Sequence, residues 1–320
     1  MEPSKAFPNL KVVENQFLAP NYGALFQQSN FFKLHQKGAR GIFFEMMHEN
    51  GNVVANIHFT ETQEGIWKSP VRGTFGGIFS EDKINFEELV FFYQYVENFL
   101  REKNASQLQI SLAPLAHDPS KLSQQIFLLR SNGFSITQCD LNHSAHILKL
   151  SSGLPMSKGK QKRVNKCLRE GFSCSILQPH FLDEVYEVIL ENRLSKGYPI
   201  SMSLSELKEM NNAFPGVIKL FGVSTNPINE IPNLIASAIC ISLSRDILYV
   251  FYWGDKKNYS TFSPIALLAE TIYDYCNIEN ISLLDVGTSS MDLIPNLGLI
   301  QFKQNLGFTE SLKIQMAKNL

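Results

Sequence analysis

Neither sign of charge dominates this sequence. Lysine and arginine number 29 against 30 acidic residues, a formal charge of −1. A chain that lives on nucleic acid carries a broad basic surface, so DNA is not an expected partner and any anionic ligand must meet a local patch. Cysteine is sparse and scattered. Cys139, Cys167, Cys174, Cys240 and Cys276 form no C-x-x-C pair and no zinc spacing, so no metal is expected and a reducing compartment suits the thiols. Long apolar runs are also missing. The best, LIASAICISL at 234–243, is too short and serine-rich to span a bilayer, and the opening MEPSKAFPNL has no apolar signal core. No G-x-S-x-G elbow occurs, so a hydrolase-type serine nucleophile has no local signature. These absences point to a soluble, cytoplasmic protein without a transmembrane segment.

What is present is one order of elements, written twice. In the first copy, GIFFEMMHENGNVVANIHFT places two β-rich runs around Asn50-Gly51, a hairpin-turn signal. NFEELVFFYQYVENFLREK follows as a helix with Asn85 and Glu88 in capping-box spacing. LQISLAP reads as a strand, and DPSKLSQQIFLLRSNGF as a helix opened by Asp118 and Pro119 and closed at Gly133. The second copy runs GVIKLFGVST, a Pro- and Asn-rich loop, and LIASAICISLSRDILYVFYWG. SPIALLAETIYDYC is then a helix capped by Ser263 with Pro264 first, ISLLDVG a strand, and LGLIQFKQNLGF a closing helix. Gly41 and Phe134 stand 93 positions apart, Val217 and Phe308 91. Near-equal spacing over several elements predicts two lobes of one topology, 1–150 and 151–320. Between them, SKGKQKRVNKCLREGF, FLDEVYEVILENRLSKG and SMSLSELKEMNNAF read as helices, the last with Ser203 and Glu206 as a capping box. The class is α/β in the mixed α+β sense, each lobe a mostly antiparallel sheet flanked by helices.

A hairpin, a helix entered through a ligand loop, a strand, and a helix ending in NGF or LGF is similar to the GNAT acyltransferase fold. Two such lobes resemble its FemAB-like and BioF2-like tandem branch. SPVRGTFGGIFS (69–80), KGKQKRVNKCLREGF, and LLDVG followed by LGLIQFKQNLGF carry that resemblance. It implies an N-acyltransferase or aminoacyltransferase taking its acyl group from acyl-CoA or aminoacyl-tRNA, the latter read at its acceptor end. The acceptor would be an amine of a phosphate-bearing small molecule or cell-wall precursor, with one active cleft in the second lobe. The chain departs from the family twice. About 25 residues separate Lys196 from Gly222, which leaves no room for a coiled-coil arm. KKNYSTFSPIALL has none of the glycines of a pyrophosphate loop. A non-catalytic duplicated module that binds an anionic metabolite is the alternative.

Acyl transfer to an amine needs a proton acceptor, oxyanion stabilisation and alignment of two substrates. By the resemblance, Lys303 is the catalytic cation of a Phe-Lys pair with Phe302; otherwise it is a solvated helix lysine. Asp285 ends a strand where open α/β sheets face ligand, as a base or an ordinary turn aspartate, and Gly287 permits close approach or only a turn. Arg163 and Lys166 belong to a stretch, 158–170, holding six cations and one acid, which would grip phosphate or face solvent. Tyr252 and Arg72 are further substrate-binding candidates. Ser263 and Tyr259, at a helix start with free N–H groups, are the donor-binding candidates. His143 and His146 alternate on a predicted strand and face opposite ways.

Overall fold

The computed structural model describes residues 7–148, 153–225, 233–291 and 293–320. Contacts divide the chain into two compact units, Met1–Asp140 with Leu312–Leu320, and Leu141–Ser311.

The first unit runs β1 (Leu10–Glu14), α1 (Ser29–Gln36), β2 (Gly41–His48), β3 (Val53–Gln63), β4 (Ile66–Ser69), β5 (Phe79–Ser80), α2 (Phe86–Glu102), β6 (Gln107–Ser111) and α3 (Pro119–Ser131). The hairpin turns where expected. Gly51 takes φ +86°, and the Asn50 side-chain oxygen accepts from Asn52 N–H at 3.0 Å. β3 is buried at every position from Val53 to Thr60, the mark of a strand covered on both faces. The α2 capping box forms as the Asn85–Glu88 spacing predicts. Leu89, Phe92, Val96 and Leu100 bury one stripe of that helix. α3 likewise opens on the Asp118 side chain, which accepts from Lys121 N–H.

The second unit takes up β7 (Ser135–His146) from Leu141 onward. It continues with α4 (Lys158–Arg169), β8 (Ser173–Leu177), α5 (Leu182–Ser195), α6 (Leu204–Ala213), β9 (Ile218–Ser224), β10 (Leu234–Ser242) and β11 (Ile247–Asp255). Then come α7 (Pro264–Ile278), β12 (Leu283–Thr288), β13 (Ser290–Met291), β14 (Ile294–Pro295), α8 (Leu297–Asn305) and β15 (Thr309–Asn319), whose residues from Leu312 onward belong to the first unit. Most of the Pro- and Asn-rich loop predicted after β9 falls on residues 226–232, outside the described residues. β10 is buried from Leu234 to Ile241 because it too is covered twice. Ser237 donates to the Val185 carbonyl of α5, while Ala236, Ala238 and Cys240 share a cluster with Ala266, Leu268 and Ile272 of α7.

The strands of the two units repeat one order. Their strand orders are β1-β2-β3-β4-β6-β15 and β8-β9-β10-β11-β12-β7. In each, the parallel pair falls at the same place, β4 with β6 and β11 with β12. The duplication and the mixed, mostly antiparallel class expected from the sequence are therefore what the chain forms.

The C-terminal strand closes the first sheet, Gln315–Asn319 pairing with β6. A charge cluster pins it. Lys318 donates to both Glu97 carboxylate oxygens at 2.6 and 2.7 Å, Arg101 donates to the same group at 2.8 Å, and so does the Tyr93 hydroxyl. Burial pushes the Glu97 carboxyl up, but these bonds outweigh it and hold it below the ordinary value. Its stabilisation is thus present above the unfolded carboxyl's pKa and lost as pH falls through the folded value. Removing the ammonium leaves a largely buried carboxylate short of charge, so Lys318→Met should cost roughly 3 kcal/mol in urea unfolding. Arg40→Ala, which breaks the Arg40–Glu61 pair where Arg40 is half exposed, should cost under about 1 kcal/mol.

Candidate active site

β11 and β12 run together only briefly. They pair from Ile247 to Tyr249 against Leu283 to Asp285, and then β12 leaves. The cause is a bulge. On the β7 side, Asp285 faces Ser144 but Thr288 faces Asn142, so three steps of β12 oppose two of β7. Gly287 takes φ +75° there, a conformation open to glycine at little cost.

Two side chains hold the bulge. The Asp285 carboxylate accepts from Gly287 N–H at 2.7 Å and from the Asn142 amide at 3.0 Å. From α8, the Lys303 ammonium donates to the Gly287 carbonyl at 2.9 Å and the Thr288 carbonyl at 3.0 Å. Both residues are 2% exposed. Burial pushes the lysine down to about 7, with the Asp285 charge pulling the other way. Lys303 is neither a solvated helix lysine nor part of the cavity wall; it is a strut behind that wall.

The wall itself stands where the strands part. A cavity of about 710 Å³ opens between Trp253 on β11, Thr288–Ser290 beyond the bulge, and the end of α5. Asn192, Arg193 and Lys196 supply the α5 side, with Tyr198 and Asn296 beside them. Among the described residues no carboxylate lines it. Arg193 donates to the Pro199 carbonyl at 2.9 and 2.6 Å and lies over the Tyr252 ring at 5.1 Å. Lys196 donates to the Asn192 side-chain oxygen at 3.0 Å. Both cations are thus oriented by neutral groups, which leaves their charge for an anionic or carbonyl-bearing guest.

The remaining residues singled out in the sequence fall into four places. Phe302 packs edge-on against Trp253 at 6.5 Å, with the Lys160 ammonium 4.1 Å from its ring. The Tyr252 hydroxyl accepts from Ser201 and Met202 N–H, each at 3.0 Å, and so fixes the segment leading into α6. Arg163 and Lys166 brace the turn before α7, the first through the Thr261 carbonyl at 2.6 Å, the second over the Phe262 ring at 4.4 Å. Tyr259 packs edge-on against Phe172. Ser263 precedes the helix as expected, but its hydroxyl makes no capping bond. Its backbone is left-handed at φ +58°, whereas a capping serine needs the extended conformation that aims its oxygen at the first N–H groups. Arg72 is exposed in the first unit.

Sequence reasoning missed the cavity's own lining. Arg193, Lys196 and Tyr198 belong to no motif, and Trp253 sits in a strand that reads only as β-rich. His143 and His146 do alternate as expected, the first fully buried and the second exposed. What the alternation could not reveal is that His143 Nδ1 lies 3.1 Å from the Ser289 hydroxyl. Among the described residues no three His, Cys, Asp or Glu side chains form a metal-holding group.

Two outcomes follow from the bulge. The unfolded chain binds more protons at Lys303 than the folded one between its folded pKa of about 7 and the ordinary lysine value of roughly 10.4. Stability therefore rises with pH across that window, and the burial cost is present in full below it. Lys303→Met removes this slope, so the wild-type-minus-variant stability in urea should climb from pH 7 to pH 10. A flat difference would contradict the burial cost assigned to the ammonium. Gly287→Ala meets nothing closer than the Tyr249 ring at 3.6 Å, so only backbone strain remains and the cost should be about 1–2 kcal/mol.

No family model and no curated protein matches the sequence. Solved structures do. FemX aligns over 95% of this chain and 94% of its own at 14% identity, with a TM-score of 0.71. L-PGS from Bacillus licheniformis aligns over 92% and 93% at 11% identity and 0.57. A tandem GNAT protein from the clavulanic acid biosynthesis pathway aligns over 97% and 98% at 10% identity and 0.52. At such identities the likeness is one of fold, and at that level the resemblance read from the motifs holds: the chain has a fold like those of FemX and of the tandem GNAT protein.

Proposed function

We infer that the chain is a transferase that moves an acyl or aminoacyl group from an activated donor to the amine of a phosphate-bearing acceptor. The reaction would take place in the cavity of the second unit. One observation carries this reading: a cavity opens where two parallel strands part, walled by two cations and, among the described residues, by no carboxylate. Such a wall favours a carbonyl that gains negative charge on attack. In this reading Lys303 and Asp285 act as positioning residues that set the edge formed by Thr288 and Ser289. Phe302 links the cavity to the basic helix, through Trp253 on one hand and Lys160 on the other. The exposed Lys158, Lys162 and Arg169 of α4 would then meet the acceptor's phosphate or the donor's backbone. The fold shared with FemX supports the class of reaction by analogy.

The start of α7 bears on the donor. Binding a pyrophosphate at a helix start takes several free N–H groups. Here Pro264 has none, Ala266 N–H bonds to the Ser263 carbonyl, and Ser263 N–H to that of Ser260. That closure favours an aminoacyl-tRNA acceptor end over coenzyme A. It also favours a second reading, in which the module binds an anionic metabolite without transferring anything.

The test is to incubate the purified chain with a nucleotide-linked amino sugar and either mixed aminoacyl-tRNA or acetyl-CoA, and to weigh the acceptor by mass spectrometry. Transfer from aminoacyl-tRNA, reduced roughly tenfold or more in Trp253→Ala, is the expected result. Transfer from acetyl-CoA alone would overturn the donor assignment. Stabilisation by the sugar of about 2.7 kcal/mol at a hundredfold excess over its Kd, with no product, would establish the binding module instead.

A further inference from the structure

An amine that attacks an acyl carbon must lose a proton, and among the described residues the cavity wall holds neither carboxylate nor imidazole to take it. It does hold Ser289, 1% exposed, whose hydroxyl has an imidazole behind it at 3.1 Å. His143 is fully buried, and its other ring nitrogen, Nε2, has no hydrogen-bond partner among the described residues. That nitrogen lies 3.8 Å from Oε1 of Glu310, too long for a hydrogen bond but close enough for the carboxylate to act on a ring that gains charge. A hydroxyl at the wall, a buried imidazole and a carboxylate are thus placed in succession, from β13's approach, β7 and β15.

We propose that Ser289 and His143 form the proton-accepting pair for acyl transfer in this cavity, with Glu310 facing the imidazolium that results. The proposal rests on the transferase reading. The amine nitrogen bonds to the acyl carbon and the carbonyl π electrons move to oxygen. The nitrogen's proton passes to Ser289 Oγ while the Oγ proton passes to His143 Nδ1. On collapse, the bond from carbon to the leaving oxygen breaks, and the proton returns from Nδ1 through Ser289 to that oxygen. An amide and a free hydroxyl are formed, and serine and histidine end as they began.

The surroundings suit a neutral acceptor. Burial, and after it the Lys303 ammonium from α8, push His143 down to about 4, against Glu310 from β15 and Asp285 from β12. The ring is therefore uncharged at neutral pH, free to accept at Nδ1 when its proton sits on Nε2.

The experiment compares steady-state transfer by wild type, Ser289→Ala and His143→Asn. The last keeps an amide oxygen to accept the hydroxyl's hydrogen bond but cannot take up its proton. Both variants should lose at least roughly tenfold in kcat while KM stays within about twofold, the pattern of an interaction made in the transition state. In wild type, 15N resonances of the His143 ring should show an unprotonated Nδ1, which shifts in Ser289→Ala. Unchanged kcat in Ser289→Ala, a loss confined to KM, or a proton on Nδ1 would overturn the pair. Absence of turnover in wild type itself would sink the transferase reading, and the pair with it; turnover that survives Ser289→Ala would sink the pair alone.

Discussion

The second unit depends on a buried ammonium holding two peptide carbonyls. Without Lys303, the carbonyls of Gly287 and Thr288 would face the interior unpaired, at a cost of order 1–3 kcal/mol each. With it, β12 can carry a bulge, leave β11 after three paired residues and open the cavity. The charge is tolerable because it is a local compromise: burial disfavours it, Asp285 favours it, and the carbonyl dipoles receive it. A hydrophobic residue in its place would fill the space and leave the bulge without its clasp. Stability and the opening of the cavity are traded against one another at this one residue.

Around that clasp, the rest is scaffolding of ordinary kinds. α7 and α5 cover opposite faces of β10, so the central strand reads as a continuous apolar run rather than an alternating one. Arg163 and Lys166, the cations that draw attention in the sequence, spend their side chains on the turn before α7. The polar groups with charge to offer a guest, Arg193 and Lys196, are held in place by a proline carbonyl and an asparagine. The first copy has FLLRSNGF where the second has LIQFKQNLGF, so it carries no Phe-Lys pair.

Much of the fold was legible because its signals are local. Asn85 with Glu88, Ser203 with Glu206 and Asp118 with Pro119 mark helix starts through bonds to residues three positions on. Asn50-Gly51 fixes a hairpin by backbone conformation alone. Ser263 shows the limit of such reasoning: it has the right residue type and the right position, but a left-handed backbone denies its oxygen the geometry of a cap. Lys303, Asp285 and Gly287 were found by motif. Their shared role could not be, because it lies in bonds across fifteen or sixteen positions that only the packed helix α8 brings within reach.

By itself the sequence determined the element order, its duplication, the mixed sheet class and most helix boundaries, since each follows from near-neighbour chemistry and periodicity. Only the tertiary structure decided that the last strand completes the first sheet and that Arg193 and Lys196 line the cavity while Lys303 braces it. It alone brought His143 to Ser289, 146 positions away in the chain. The reason is physical. Short-range bonds are specified by spacing, whereas burial and long-range pairing depend on which faces meet once the sheets have closed.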